Sequence, residues 1–139
     1  MYQVYYFTRT GNSRRIAEKI AGELSCDIFR ITDDVNWNGI GAYLKFMKYA
    51  DGKKPLKICC DGDPSAADEI IVVSPVWGSH IVPAVKQFIE PVDKGRMHLV
   101  TSSGAGEVRE KEGFASVTCI IKKKKNEETA VRELLNALQ

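Results

Sequence analysis

The stretch Tyr2-Gln3-Val4-Tyr5-Tyr6-Phe7-Thr8-Arg9-Thr10-Gly11-Asn12-Ser13 decides how this chain is read. Its first half is a short run of β-formers. Its second half is a hydroxyl-rich turn holding a glycine, and it leads at once into a helical pattern that ends at Leu24. A strand that closes in such a turn and opens a helix brings loop N–H groups and a helix N-terminus to one point, a natural seat for a phosphate monoester. The motif predicts a bound phosphate cofactor, and the remaining loops must say which.

At 139 residues the chain is long enough for one domain, residues 1–139, with a single core that needs no disulfide or metal. Hydrophobic residues at 44% and charged residues at 27% form an average soluble mixture, which argues against disorder and against a membrane protein. A net charge of +2 gives no sign of nucleic acid as a partner. No apolar run approaches the roughly 20 residues that span a bilayer. Strand-like residues begin at Tyr2, which leaves no room for a signal peptide, and a cytoplasmic protein is expected. Cys26, Cys59, Cys60 and Cys119 form no CxxC and have no histidine at ligand spacing, so reduced thiols and no metal are expected.

Outward from the opening strand the periodic signals alternate in type. Ser13 to Leu24 reads as a helix through Ile16, Ala17, Ile20, Ala21 and Leu24, and Asp27 to Ile31 as a second strand. Gly41 to Ala50 reads as a helix through Tyr43, Leu44, Met47 and Ala50, and Leu56 to Cys60 as ambiguous, an extended excursion at most. Ile70 to Ser74 is the continuous apolar run of a strand covered on both faces. A turn over Pro75 to Val82 follows, then a helix opened by Pro83. His98 to Ser102 and Val117 to Ile121 are the fourth and fifth strands, and a last helix begins at Asn126. This alternation argues an α/β fold, a parallel sheet with helices on both faces. The link from Ser103 to Ser116 is short for a crossover, so its helix should be shortened or absent.

Ligands of open parallel sheets sit beyond the carboxyl ends of the strands. Three loops leave those ends: Thr8 to Ser13 with its hydroxyls, Pro75 to Val82 with Trp77 beside Gly78, and Ser102-Ser103-Gly104-Ala105-Gly106. They describe a phosphate at one end and a planar aromatic heterocycle at the other. In this the chain resembles the flavodoxins. Thr8-x-Thr10-Gly11-Asn12-Ser13 is similar to their FMN phosphate loop, and Ser74-Pro75-Val76-Trp77-Gly78 with Pro83 is similar to their first isoalloxazine loop.

The resemblance covers almost the whole chain and implies a three-layer, doubly wound five-stranded parallel sheet of order 2-1-3-4-5. It implies FMN as cofactor, with Thr8, Thr10, Asn12 and Ser13 on the phosphate and Arg9 contributing through its backbone around Gly11. Pro75, Val76, Trp77 and Gly78 would flank the ring, the Gly78 peptide turning its carbonyl toward the flavin. Ser102, Ser103, Gly104, Ala105 and Gly106 would line its pyrimidine side. The function implied is electron transfer between redox partner proteins, without a catalytic residue of its own. A small NAD(P)H:quinone-type reductase and a flavin-free interaction module stay open beside it.

Single residues also leave alternatives open. Thr8 to Ser13 could be a simple helix cap, and Trp77 a core aromatic. His80 reads as an inert loop histidine rather than a tuner of flavin protonation. Lys122 to Lys125 is either a solvated run or a docking patch for an acidic partner. Trp37, Tyr43, Phe46 and Tyr49 are core and lid residues or the walls of a small-substrate pocket. Two departures from the flavodoxin pattern stand out: a pI near 8.3 where many members are acidic, and the short link after the fourth strand. The short link predicts thin apolar cover near strands four and five, with a monomer or weak homodimer as the outcome.

Overall fold

The computed structural model describes residues 1–49 and 55–139. Strand β1 (Tyr2–Tyr6) is followed by helix α1 (Asn12–Leu24), β2 (Asp27–Arg30), β3 (Thr32–Asp33), α2 (Ala42–Tyr49) and β4 (Ile58–Cys59). The chain continues through β5 (Glu69–Trp77), β6 (His80–Ile81), α3 (Pro83–Ile89), β7 (Met97–Ser103), β8 (Ser116–Ile121) and α4 (Glu127–Leu138). The main sheet runs β2-β1-β5-β7-β8 with every neighbouring pair parallel. This is the order that the resemblance implied, with β5, β7 and β8 as its third, fourth and fifth strands.

Strand pleating divides the core in two. On one face Val4, Tyr6, Ile71, Val73 and Val100 pack under Ile16, Ala17 and Ile20 of α1 and Val131 and Leu134 of α4. On the other, Tyr5, Phe7, Ile70, Val72 and Leu99 pack under Val85, Phe88 and Ile89 of α3. The uninterrupted run Ile70–Val73 is buried on both sides, which is why it carries no polar alternation. Pro83 opens α3, where its missing N–H costs no helical bond. Asn126 sits ahead of α4 and turns inward instead of capping it. Its Oδ1 accepts from the Ile121 N–H at 2.7 Å and its Nδ2 donates to the Cys119 carbonyl at 3.0 Å, tying α4 to the end of β8.

The structure corrects several sequence expectations. The third strand does not stop at Ser74 but runs on to Trp77, and the expected turn over Pro75 to Val82 is a hairpin in which Trp77 pairs with His80 and Val76 with Ile81. Gly78 and Ser79 have φ of 57° and 69°, the paired positive values that a two-residue hairpin loop requires. The ambiguous Leu56 to Cys60 segment holds β4, antiparallel to β3. The helix expected over Gly41 to Ala50 is present as Ala42–Tyr49, with Ala50 outside the described residues. Among its described residues only Phe46 is buried, while Tyr43, Leu44 and Met47 face solvent together with Ile40.

The link between β7 and β8 has no helix, as its length implied. Cover over β8 is partial: Val108 is buried in the α3-side core, but Phe114, Val117 and Cys119 are only half-buried against the same cluster. The link is held by the hairpin. The Arg109 N–H donates to the Ser79 carbonyl at 2.8 Å. Glu110 Oε1 accepts from the Ile81 N–H at 2.7 Å, and its Oε2 lies 2.5 Å from His80 Nδ1. No helix among the described residues is long and apolar enough to cross a membrane.

Candidate functional site

The three loops singled out in the sequence meet at the carboxyl ends of β1, β5 and β7. Thr8, Arg9, Thr10, Asn12 and Ser13 form one side of a cleft of about 190 Å³. Pro75, Val76 and Trp77 form a second side, and Ser102, Ser103 and Gly104 a third, with Lys122 at the rim. Among the described residues no carboxylate, histidine or cysteine lines it.

The phosphate-like end is built by α1. Gly11 stands at its N-cap with φ of 96°, a left-handed conformation natural to glycine, and its N–H donates to Thr8 Oγ1 at 2.8 Å. No side chain caps the helix and no acidic residue lies in its first turn, so its free N–H groups and partial positive charge are uncompensated. The Asn12 side chain is already engaged, Nδ2 donating to Ser102 Oγ at 2.7 Å and Oδ1 accepting from Arg15 Nη2 at 2.7 Å. Asn12 thereby ties the first loop to the third, leaving its backbone N–H for a ligand.

In the third loop Ser103 Oγ donates to the Gly106 carbonyl at 2.5 Å, and the Lys123 N–H to the Gly104 carbonyl at 3.0 Å. These bonds shape the loop so that Ala105 and Gly106 do not line the cleft, whereas Ser102, Ser103 and Gly104 do. Gly11 contributes conformation rather than surface. Gly78 faces a neighbouring chamber instead. Trp77 is both a core-supported aromatic and a cleft wall: its ring centroid lies 5.9 Å from Phe7, 5.2 Å from Trp37 and 6.2 Å from Phe46.

That chamber, about 340 Å³, shares Arg9 and Trp77 with the cleft and is completed by Trp37, Gly39, Ala42, Tyr43, Phe46 and Gly78. Of the aromatics of the excursion after β2, Trp37 and Phe46 are both core and wall, exposed Tyr43 is wall alone, and Tyr49 packs against the core without lining the chamber. On the opposite flank the cleft opens past Thr10, Asn12 and Ser102 into a broader hollow lined by Arg15, Lys122, Lys125, Asn126 and Glu127. Arg15 grips Glu127 through its two terminal guanidinium nitrogens, Nη2 to Oε1 at 2.6 Å, and this holds the Glu127 carboxyl below its ordinary range. Lys122 belongs to the site, a role visible in sequence only as the start of a lysine run. Glu110 had no sequence signal at all, because its partner His80 lies thirty positions away. His80 is accordingly tethered rather than free. Among the described residues no cluster suits a metal ion, and all four cysteines are unpaired.

No protein-family model matches the chain. An uncharacterised protein of Archaeoglobus fulgidus is 32% identical over 97 residues, which cover 67% of this chain and 58% of that protein. The chain thus spans less than two thirds of that relative's length. Among solved structures, a Bacteroides eggerthii protein assigned as a flavoprotein matches with TM-score 0.76 at 18% identity, over 98% of this chain and 96% of its own. A Lactobacillus acidophilus flavoprotein in complex with FMN matches with TM-score 0.65 at 14% identity, over 92% and 96%. The Fusobacterium nucleatum flavodoxin bound to flavin mononucleotide matches with TM-score 0.57 at 11% identity, over 99% and 95%. Likeness over nearly the full length of both chains, at identities this low, is likeness of architecture: the chain has the flavodoxin-like fold.

Proposed function

We propose that the cleft binds FMN noncovalently and that the chain carries electrons between partner redox proteins. The observation that supports this most is the donor set: an uncapped, carboxylate-free helix N-terminus beside the residues Thr8, Thr10 and Ser13, with Lys122 at the rim and Arg9 on the border with the neighbouring chamber. Such a set suits a dianion and leaves a buried acid or metal without a partner. The opposite end suits a planar ring. Trp77 is buttressed by three aromatics, and nothing lies within 4 Å of where a Cβ on Gly104 would stand.

When bound, FMN supplies the redox chemistry. The protein's part is to hold it. Thr8, Thr10 and Ser13 with the first-turn N–H groups of α1 would bind the phosphate, and Trp77 would flank the ring. Gly78 gives the peptide after it freedom to reorient at low cost. The next carbonyl, Ser79, is pinned by the Arg109 N–H, so that freedom is confined to one peptide. Lys122, with the run through Lys125, offers a basic rim for an acidic partner.

The test is the visible spectrum of the protein titrated with FMN, for the parent and for Thr10→Val combined with Ser13→Ala. A saturable flavin spectrum in the parent, weakened in the double variant, is expected. A protein that takes up no FMN would overturn the reading and favour an interaction module. Equal affinity in parent and variant would place the phosphate elsewhere.

A further inference from the structure

The chamber behind Trp77 shares Arg9 and Trp77 with the cleft, but its other walls are its own. Its walls are the rings of Trp37, Tyr43, Phe46 and Trp77, and its floor is cleared by small residues, Gly39, Ala42 and Gly78. A side chain at Gly78 could not be added freely, since its Cβ would stand 3.1 Å from Phe46 Cε1 at a φ of 57°. The indole N–H of Trp37 is spent on the Asp33 carboxylate, at 2.9 Å and 3.1 Å, so Trp37 offers the chamber only its ring. Trp37 and Phe46 are buried and set the shape, whereas Tyr43 is 69% exposed and borders the opening.

Polarity enters at one point. Among the described residues Arg9 is the only charged one in the lining, and its guanidinium makes no ion pair or side-chain hydrogen bond with any of them. A volume of about 340 Å³ lies at the small end of ligand pockets, which run roughly 300–1,000 Å³. Aromatic walls favour a flat aromatic ligand through offset and edge-to-face contacts. The unpaired guanidinium favours an anionic oxygen on it and disfavours a cation. A peptide would bring backbone N–H and C=O groups to walls that have few partners for them. We propose that this chamber binds a small planar aromatic carboxylate, its rings against the wall that Trp37, Phe46 and Trp77 form and its carboxylate on Arg9.

The probe is 2-naphthoate, titrated calorimetrically into the protein with and without added FMN, with tryptophan fluorescence followed in parallel. One saturable site with quenched tryptophan emission is expected in both samples, with any bound FMN retained. Arg9→Gln should weaken naphthoate about fivefold, the scale of an exposed ion pair, and leave uncharged 2-methylnaphthalene unaffected. Tyr43→Ala should weaken both probes about two- to tenfold; it removes an exposed ring and leaves the core intact. Absence of naphthoate binding, or affinity unchanged in both variants, would overturn the proposal. So would stoichiometric displacement of FMN, which would assign the chamber to the flavin ring. A protein that takes up no FMN yet binds naphthoate with these sensitivities would lose the electron-carrier reading and keep this one.

Discussion

Replacing Glu110 by alanine removes both carboxylate contacts to the β5–β6 hairpin and leaves only the Arg109 N–H to Ser79 carbonyl bond among those described between hairpin and link. Glu110 Oε1 accepts from the Ile81 N–H at 2.7 Å, and Oε2 lies 2.5 Å from His80 Nδ1. Ile81 is 2% exposed, so its N–H would be left without water or protein partner. An orphaned donor of this kind costs about 1–3 kcal/mol, and about 2 kcal/mol is a fair central value. With about 2.1 cal/mol/K of unfolding entropy per residue over 139 residues, the slope is about 0.29 kcal/mol per degree and Tm should fall by about 7 °C. The assay is thermal unfolding followed by far-UV circular dichroism, with Glu110→Gln alongside. Glutamine keeps a carbonyl for the Ile81 N–H, so its fall should be under about 3 °C. An alanine variant within about 1 °C of the parent would refute the carboxylate as the fastening. Equal losses in the two variants would refute the hydrogen bond as the cause.

Gly62→Ala should be costly, because its Cβ would stand 2.6 Å from Tyr5 Cε1 and hydroxyl and 2.7 Å from Phe29 Cδ2. Tyr5 is fully buried, its ring 5.3 Å from Phe29 and 4.8 Å from Phe88, and it cannot retreat. A loss of about 1–3 kcal/mol, read from the urea midpoint, is expected, and an unchanged midpoint would contradict the close approach. The Arg15 hydrogen bond lowers the folded-state pKa of Glu127 below its ordinary 4.5, so the stability it contributes is present above that pH and lost as pH falls through the folded value. Glu127→Gln should therefore cost no more than about 1 kcal/mol at neutral pH and flatten the acid limb of the stability curve. Parallel parent and variant curves down to about pH 3 would count against the pair.

The periodic elements were legible because one face of each decides its position. Ile16, Ala17, Ile20 and Ala21 mark the buried side of α1, and Ile70–Val73 a strand with no polar face to show. The strand's continuation through Pro75 was not, since proline argues against a paired position. In the structure β1 pairs β5 only as far as Val73, so Pro75 lies where β7 alone is the neighbour. Of the cleft, the loops were visible as glycine- and hydroxyl-rich turns at strand ends. Their internal wiring was not: Asn12 to Ser102 and Glu110 to Ile81 are long-range bonds that composition does not announce. The outward face of α2 had no signature either, because Tyr43, Leu44 and Met47 repeat at helical spacing whether they meet a core or solvent.

The link between β7 and β8 owes its closed form to Ser79, His80 and Ile81, and the hairpin is fastened in turn by Arg109 and Glu110. Neither segment has a helix to protect it, so in amide hydrogen exchange the two should open as one cooperative unit, at a free energy below that of the central strands. A protein that grips the link would thereby alter how often the turn beside Trp77 opens. The Trp77 side of the cleft can in this way respond to contacts made outside it, and the Asn12–Ser102 bond joins the α1 side to the strand end where the same link begins.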